Sequence, residues 1–135
     1  MNIVIDTNVY VSYLLSPRGA GAWLLALWSE RKFEVFISPD LLAELVEVLN
    51  RPEVAFKVDS QRKLALIRRL RYDAFWVEGK IDAAGSLPDL EDDFPLISTA
   101  LEAGAEYILT WDNKLLTSVR LLSPDQFIPL VIRKK

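Results

Sequence analysis

Ile3-Val4-Ile5-Asp6-Thr7-Asn8 opens the chain with an unbroken apolar run that stops on an acid, and Tyr107-Ile108-Leu109-Thr110-Trp111-Asp112 repeats the event near the other end. Continuous aliphatic runs of this length read as strands buried on both faces, the kind found in parallel sheets covered by helices. Each run delivers a carboxylate at its carboxyl end. In open α/β folds that is the edge of the sheet where ligands bind.

Outward from these runs, strands and helices alternate. Periodicity predicts a strand at 2–6, a helix at 7–15, a break at Ser16-Pro17-Arg18-Gly19 and a helix over about 20–31. Phe33 to Ile37 reads as a second strand, and Pro39 is placed to start a helix that runs to about Asn50 before Arg51-Pro52 stops it. Leu64, Ile67 and Leu70 share a phase that predicts a helix over about 60–72, followed by a short strand from Ala74 to Val77 and a loop from Gly79 to Pro88. Pro95 sits in the first turn of a helix that Gly104 closes, and a strand at 106–110 follows. The alternation predicts a three-layer α/β/α sandwich with a mainly parallel central sheet.

At 135 residues and 51% hydrophobic content, a single domain over 1–135 is expected, with one complete core. Apolar stretches such as Ala22 to Trp28 fall short of a membrane span, and Met1-Asn2 leads into a strand without a basic-then-apolar leader. The expectation is a cytoplasmic protein with no membrane partner. Zero cysteines exclude disulfides, thiolate metal sites and a cysteine nucleophile. The lack of histidine says more, because it removes the commonest general base and the commonest zinc ligand together. Hydrolytic chemistry here must rest on carboxylates, whose hard oxygens suit Mg²⁺ or Mn²⁺.

A net charge of −3 argues against a general nucleic-acid coat protein. Basic residues gather at Arg62-Lys63, at Arg68, Arg69 and Arg71, and at Arg133-Lys134-Lys135, while acids gather at Asp82 and at Asp89, Glu91, Asp92 and Asp93. Two readings of the basic groups stay open: a solvated helix face, or a patch that tracks phosphates.

Helix geometry sorts the acids. On the 39–50 helix the apolar stripe is Leu41, Leu42, Leu45, Val48 and Leu49, and Glu47 points nearly opposite its centre. Glu44 lies about 100° from that centre, at the border, where a side chain can turn into a cleft beside the sheet. An ordinary flanking charge is its competing reading. Asp93 shares a face with Leu96, Ile97 and Ala100, and helix capping competes for Asp92 or Asp93. Asp6 and Asp112 can each be read singly as caps after a strand. Together, however, these acids would converge on one sheet edge, and two carboxylates about 4 Å apart repel by about 4 kcal/mol at an effective dielectric near 20. Protons or cations must offset that repulsion, and a divalent cation is the economical answer.

At this point the residues resemble a known family, the PIN-domain nucleases, and within it the VapC-type toxins of toxin–antitoxin pairs. The resemblance rests on Val4-Ile5-Asp6-Thr7-Asn8-Val9, Ser38-Pro39, Leu42-Ala43-Glu44-Leu45, Val48-Leu49-Asn50-Arg51-Pro52, Asp92-Asp93, and Leu109-Thr110-Trp111-Asp112-Asn113-Lys114-Leu115-Leu116 with the tail Ser123-Pro124-Asp125-Gln126-Phe127. It implies that Asp6, Glu44, Asp93 and Asp112 form an acidic metal-binding quartet, that Asn8 and Ser38 support it, and that Thr110 helps hold its geometry. It also implies metal-dependent cleavage of RNA phosphodiesters, restraint by a small antitoxin protein that blocks the site, and a homodimer. Two positions depart from the family pattern: Trp111 stands where a small residue is usual before the last acid, and Phe94-Pro95 replaces a more polar helix start. An indole beside the cleft either narrows access or stacks on a base.

Two rivals compete with this reading. A haloacid-dehalogenase-type phosphohydrolase also begins with an acid after its first strand, but it needs a second Asp two residues on, where this chain has Asn8. A catalytically silent module binding RNA or protein would have no need to hold four mutually repelling acids. Trp23 and Trp28 lie on a helix that is apolar over much of its circumference, so they serve either a dimer interface or the core.

Overall fold

The computed structural model describes residues 1–80, 94–112 and 120–133. Its first half runs β1 (Asn2–Ile5), α1 (Thr7–Leu15), α2 (Ala20–Ser29), β2 (Glu34–Ile37), α3 (Pro39–Leu49) and α4 (Pro52–Ala55). The second half runs α5 (Ser60–Asp73), β3 (Phe75–Trp76), α6 (Phe94–Ala103), β4 (Tyr107–Leu109), β5 (Arg120–Leu122) and α7 (Pro124–Arg133). The strands form one sheet in the order β3-β2-β1-β4-β5, and every pairing is parallel. β1 is central: Ile3 pairs with Val35 on one side and Tyr107 on the other. Ile3, Val4 and Ile5 alternate between the two faces of the sheet and all are fully buried, so helices cover both faces. This is the α/β architecture that the apolar runs require.

Several boundaries shift by a residue or two. The strands expected at 2–6, 74–77 and 106–110 shorten to 2–5, 75–76 and 107–109, because sheet pairing ends where the chain turns into the next helix or loop. Arg51-Pro52 does end α3, but Pro52 then occupies the first position of the short α4, where a missing N–H costs nothing. β5 and α7 carried no periodic signal strong enough to delimit them. α7 continues past Pro129, whose ring removes one helical hydrogen bond. Gln126 caps its entry by accepting from the Ser123 N–H, while Ser123 Oγ accepts from the Gln126 N–H. The loop expected from Gly79 to Pro88 lies mostly outside the described residues, as do Asp82, Asp89, Glu91, Asp92 and Asp93, the 113–116 part of the closing motif, and Lys134 and Lys135. Among the described residues no helix is long and apolar enough to cross a membrane.

The two tryptophans of α2 differ in burial. Trp28 is 5% exposed and belongs to the core, whereas Trp23 is 54% exposed. The α5 arginines divide as well. The Arg69 guanidinium lies 4.0 Å from the Trp28 ring centroid and donates to the Leu25 carbonyl at 3.1 Å, and Arg62 lies 4.8 Å from the Tyr13 ring. These two cations clamp α5 onto α1 and α2 through cation–π contacts rather than forming an open phosphate track. Burial lowers the Arg69 pKa, which the nearby Asp73 carboxylate partly offsets. Arg68 and Arg71 remain exposed.

Two glycines occupy the left-handed region, Gly79 at φ 71° and Gly104 at φ 60°. Gly104 ends α6 as expected, and a Cβ there would meet open space. A Cβ at Gly79 would lie 2.8 Å from Ser38 Cβ, and the Gly79 N–H donates to the Glu102 carboxylate, so this segment is seated directly on β2 and α6. Gly104→Ala should therefore lose about 1–2 kcal/mol from backbone strain alone. Gly79→Ala should lose that much and a further ~1–3 kcal/mol from overpacking. Urea unfolding midpoints at unchanged m-value measure both, and equal losses would contradict the clash.

Candidate functional site

The strand order places a topological switch between β1 and β4, since the chain leaves β1 toward β2 on one side and returns through β4 on the other. At such a switch the carboxyl ends of neighbouring strands open a crevice. Asp6 follows β1 and Asp112 follows β4 by way of Thr110 and Trp111, so both acids enter the same crevice.

Asp6 is held from several directions. Its N–H donates to the Leu109 carbonyl at 2.8 Å, extending the β1–β4 ladder by one residue. It stands at the N-cap position of α1, yet no side-chain capping hydrogen bond forms, and the helix reaches its carboxylate only through the adjacent Thr7 N–H. Instead Asp6 Oδ2 accepts from the Thr110 hydroxyl at 2.7 Å. The helix-cap reading of Asp6 is thus set aside by its own geometry. Desolvation by burial raises its pKa most, the charge of Asp112 adds to the rise, and the Thr110 hydroxyl and Thr7 N–H oppose it.

Thr110 is the joint of the site. Its backbone N–H donates to the Leu122 carbonyl of β5 at 2.9 Å, and its side chain is buried. While Oγ1 donates to Asp6, it accepts from Asn8 Nδ2 at 3.2 Å and from the Asp112 N–H at 3.0 Å. One hydroxyl thereby uses its donor and both acceptor positions, binding the ends of β1, α1 and β4 into one unit. Asn8 completes the unit, because its Oδ1 accepts from the Trp111 N–H at 3.3 Å. Thr110→Val is expected to leave Asp6 without its donor and two N–H groups without their acceptor, costing about 1–3 kcal/mol. If the acids hold a metal, the loss of this support should also lower activity about 10–100-fold. Melting curves and cleavage rates of the variant check both effects, and unchanged values would remove Thr110 from the site.

The other sequence candidates fall as follows. Glu44 is half-buried at the border of the α3 apolar stripe, and Glu47 is exposed, as helix geometry required. Ser38 is fully buried, accepts from the Leu41 N–H at 3.3 Å as the α3 N-cap, and bonds Thr99 Oγ1 at 2.7 Å. Thr99 spends its own hydrogen on the Pro95 carbonyl at 2.6 Å, so Ser38 is the donor and ties α3 to α6. Among the described residues its bonds go to those helices and to none of the acids. Asp93 lies outside the described residues. Among the described residues, no group of three or more acids is gathered closely enough to hold a metal ion. The structure therefore brings together Asp6, Asn8, Thr110 and Asp112.

Sequence reasoning missed Ser12, whose Oγ accepts from the Trp111 indole N–H at 3.1 Å while donating to the Val9 carbonyl at 2.8 Å. A signal was available, because Ser12 stands one helical turn beyond Asn8 on the same face of α1. Nothing in the sequence marked Thr99 as the partner of Ser38. Two surface clefts lie away from the acids, one bounded by Pro39, Leu42, Val46, Arg71 and Trp76, the other by Trp28, Phe33, Arg69, Tyr72 and Phe75.

The donors at the switch point fit a hard divalent cation. The Asp112 charge, close enough to raise the proton affinity of Asp6, calls for positive charge, and without histidine or cysteine the side-chain donors here are oxygens. The Thr7 hydroxyl, next to Asp6 in the chain, is buried without a hydrogen-bond partner among the described residues.

An α/β fold with carboxylates at the switch point of a parallel sheet defines a class of acid-lined sites. The sequence model of the PIN domain matches residues 2–114, and the chain belongs to the PIN-domain family. PIN domains are generally nucleases that use divalent metal ions. The chain is also similar to an uncharacterized protein of Methanocaldococcus jannaschii, at 27% identity over 117 residues that cover 87% of this chain and 74% of the relative.

Proposed function

We propose that this PIN domain is a divalent-metal-dependent endoribonuclease, and that it acts in the cytoplasm as the toxin of a toxin–antitoxin pair. The observation that carries the reading is the Thr110 hydroxyl, which bonds the half-buried Asp6 carboxylate and the Asp112 backbone at the switch point. Asp6 and Asp93 would hold most of the metal, and Asp112 a second ion or a bound water. Mg²⁺ or Mn²⁺ supplies Lewis-acid polarisation of a phosphoryl oxygen and a water acidified toward neutrality. Glu44 orients the attacking water and accepts its proton as the new P–O bond forms and the ester P–O bond breaks, and the departing ribose oxygen takes a proton from solvent water. With no histidine in the chain, that proton has to pass to a carboxylate. Asn8 and Thr110 keep the acids in place, and Ser38 caps α3, the helix that carries Glu44 at its middle.

A small antitoxin protein that covers the crevice would restrain the activity, and the exposed Trp23 supports a homodimer. Titrating Mn²⁺ and Mg²⁺ into the purified protein with mixed single-stranded and structured RNA, alongside an Asp6→Asn, Asp93→Asn double variant, tests the reading. Metal-dependent cleavage that the double variant lacks supports the nuclease and its site. Metal binding that the double variant lacks, without cleavage, would point to a partner-inhibited or highly selective toxin, and no metal binding at all would favour a silent module.

A further inference from the structure

We infer that Trp111 is a stacking platform that selects an unpaired nucleotide next to the scissile phosphate. The inference rests on the nuclease reading and concerns which substrate that site accepts. Trp111 is 41% exposed and stands between the two residues that build the site, Thr110 and Asp112. An exposed tryptophan with no task is free to rotate, whereas this one is held at two points on one face of α1. Its backbone N–H donates to Asn8 Oδ1 at 3.3 Å and its indole N–H donates to Ser12 Oγ at 3.1 Å. Asn8 also donates to Thr110, so the indole and the Asp6 carboxylate are set by one hydrogen-bond network. The ring edge is spent on Ser12, and part of the ring surface stays open to solvent beside the crevice.

Among the described residues, charge favours stacking over a phosphate clamp as the means of gripping a nucleotide here. Arg62 and Arg69 are committed to Tyr13 and Trp28, and the acids at the crevice repel phosphate until a cation binds. An indole attracts any base through its π-face, without charge and with little sequence preference. A base inside a duplex already stacks on its neighbours and cannot reach the ring, so the platform discriminates for unpaired nucleotides.

The test uses the full chain with Mn²⁺ and short single-stranded oligoribonucleotides, in which one abasic ribonucleotide is moved through every position. Trp111→Ala should raise KM by roughly 5- to 150-fold, the range expected when one stacked base is lost, while Trp111→Phe keeps most of the affinity. In the parent protein one abasic position should carry a similar penalty, and in Trp111→Ala that position should carry none. Ser12→Ala, which frees the ring without removing it, should raise KM by less than Trp111→Ala does. A parent-like KM in Trp111→Ala, or an abasic penalty that persists unchanged in that variant, overturns the inference while metal-dependent cleavage by the parent leaves the nuclease reading standing. RNA that the parent neither binds nor cuts overturns both.

Discussion

Asp6→Asn is expected to lower metal-dependent RNA cleavage at least about a hundredfold, since removing only a supporting partner of a metal ligand already costs about 10–100-fold. The same change should make the metal-free protein more stable at neutral pH. Burial is the chief cause holding the Asp6 carboxyl above its ordinary 3.8, with the Asp112 charge adding to it. An acid with a raised pKa favours the fold while protonated: its contribution is complete below about pH 3.8 and disappears as pH rises through the folded-state value. At pH 7 the ionised group opposes folding, and a neutral amide does not. Bound cation reverses the balance in the parent. Mn²⁺ at a hundred times its Kd adds about 2.7 kcal/mol, on the order of 10 °C for a domain of this size. Thermal melts of both proteins, with and without Mn²⁺ and across pH, measure these effects together. A metal-free variant that melts below the parent at pH 7, or that gains as much from Mn²⁺, would mean that Asp6 is a structural acid.

Phe127→Ala is expected to cost about 3–5 kcal/mol, the loss usual when a buried phenylalanine is truncated. Phe127 is fully buried and meets two rings edge-on, Phe33 at 5.1 Å and Tyr107 at 5.9 Å between centroids. It anchors α7 beside the starts of β2 and β4, and α7 follows directly from β5. β5 is an edge strand whose Leu122 carbonyl accepts from the Thr110 N–H, so the anchor also steadies the backbone of the residue that joins the site. Urea unfolding gives the measurement. A loss under about 1 kcal/mol would show that α7 is not docked through this ring.

The parts of the fold legible in the sequence were those whose burial is decided locally. Ile3-Val4-Ile5 is apolar at every position, which only a strand covered on both faces can use, and the structure buries all three. Glu44 and Glu47 were separated correctly because helix periodicity fixes their angles to the Leu41, Leu42 and Leu45 stripe. Gly104 closed its helix because few other residues accept that φ. β5 and α7 were not legible: β5 is a three-residue strand, and the proline inside α7 argues against a helix. Packing of Phe127 outweighs that local preference.

The site divides in the same way. The residue types narrow the chemistry, because a chain without histidine or cysteine offers neither an imidazole nor a thiolate as base, nucleophile or metal ligand. Sequence also settles the parallel α/β class through its alternation of apolar runs and amphipathic helices. Tertiary structure alone decides that Thr110 joins Asp6 to Asp112, that Ser38 is committed to α3 and α6, and that Ser12 pins Trp111. The reason is distance along the chain. Thr110 and Asp6 are separated by 104 residues, and a hydrogen bond at 2.7 Å between them exists only once the sheet has set β1 beside β4.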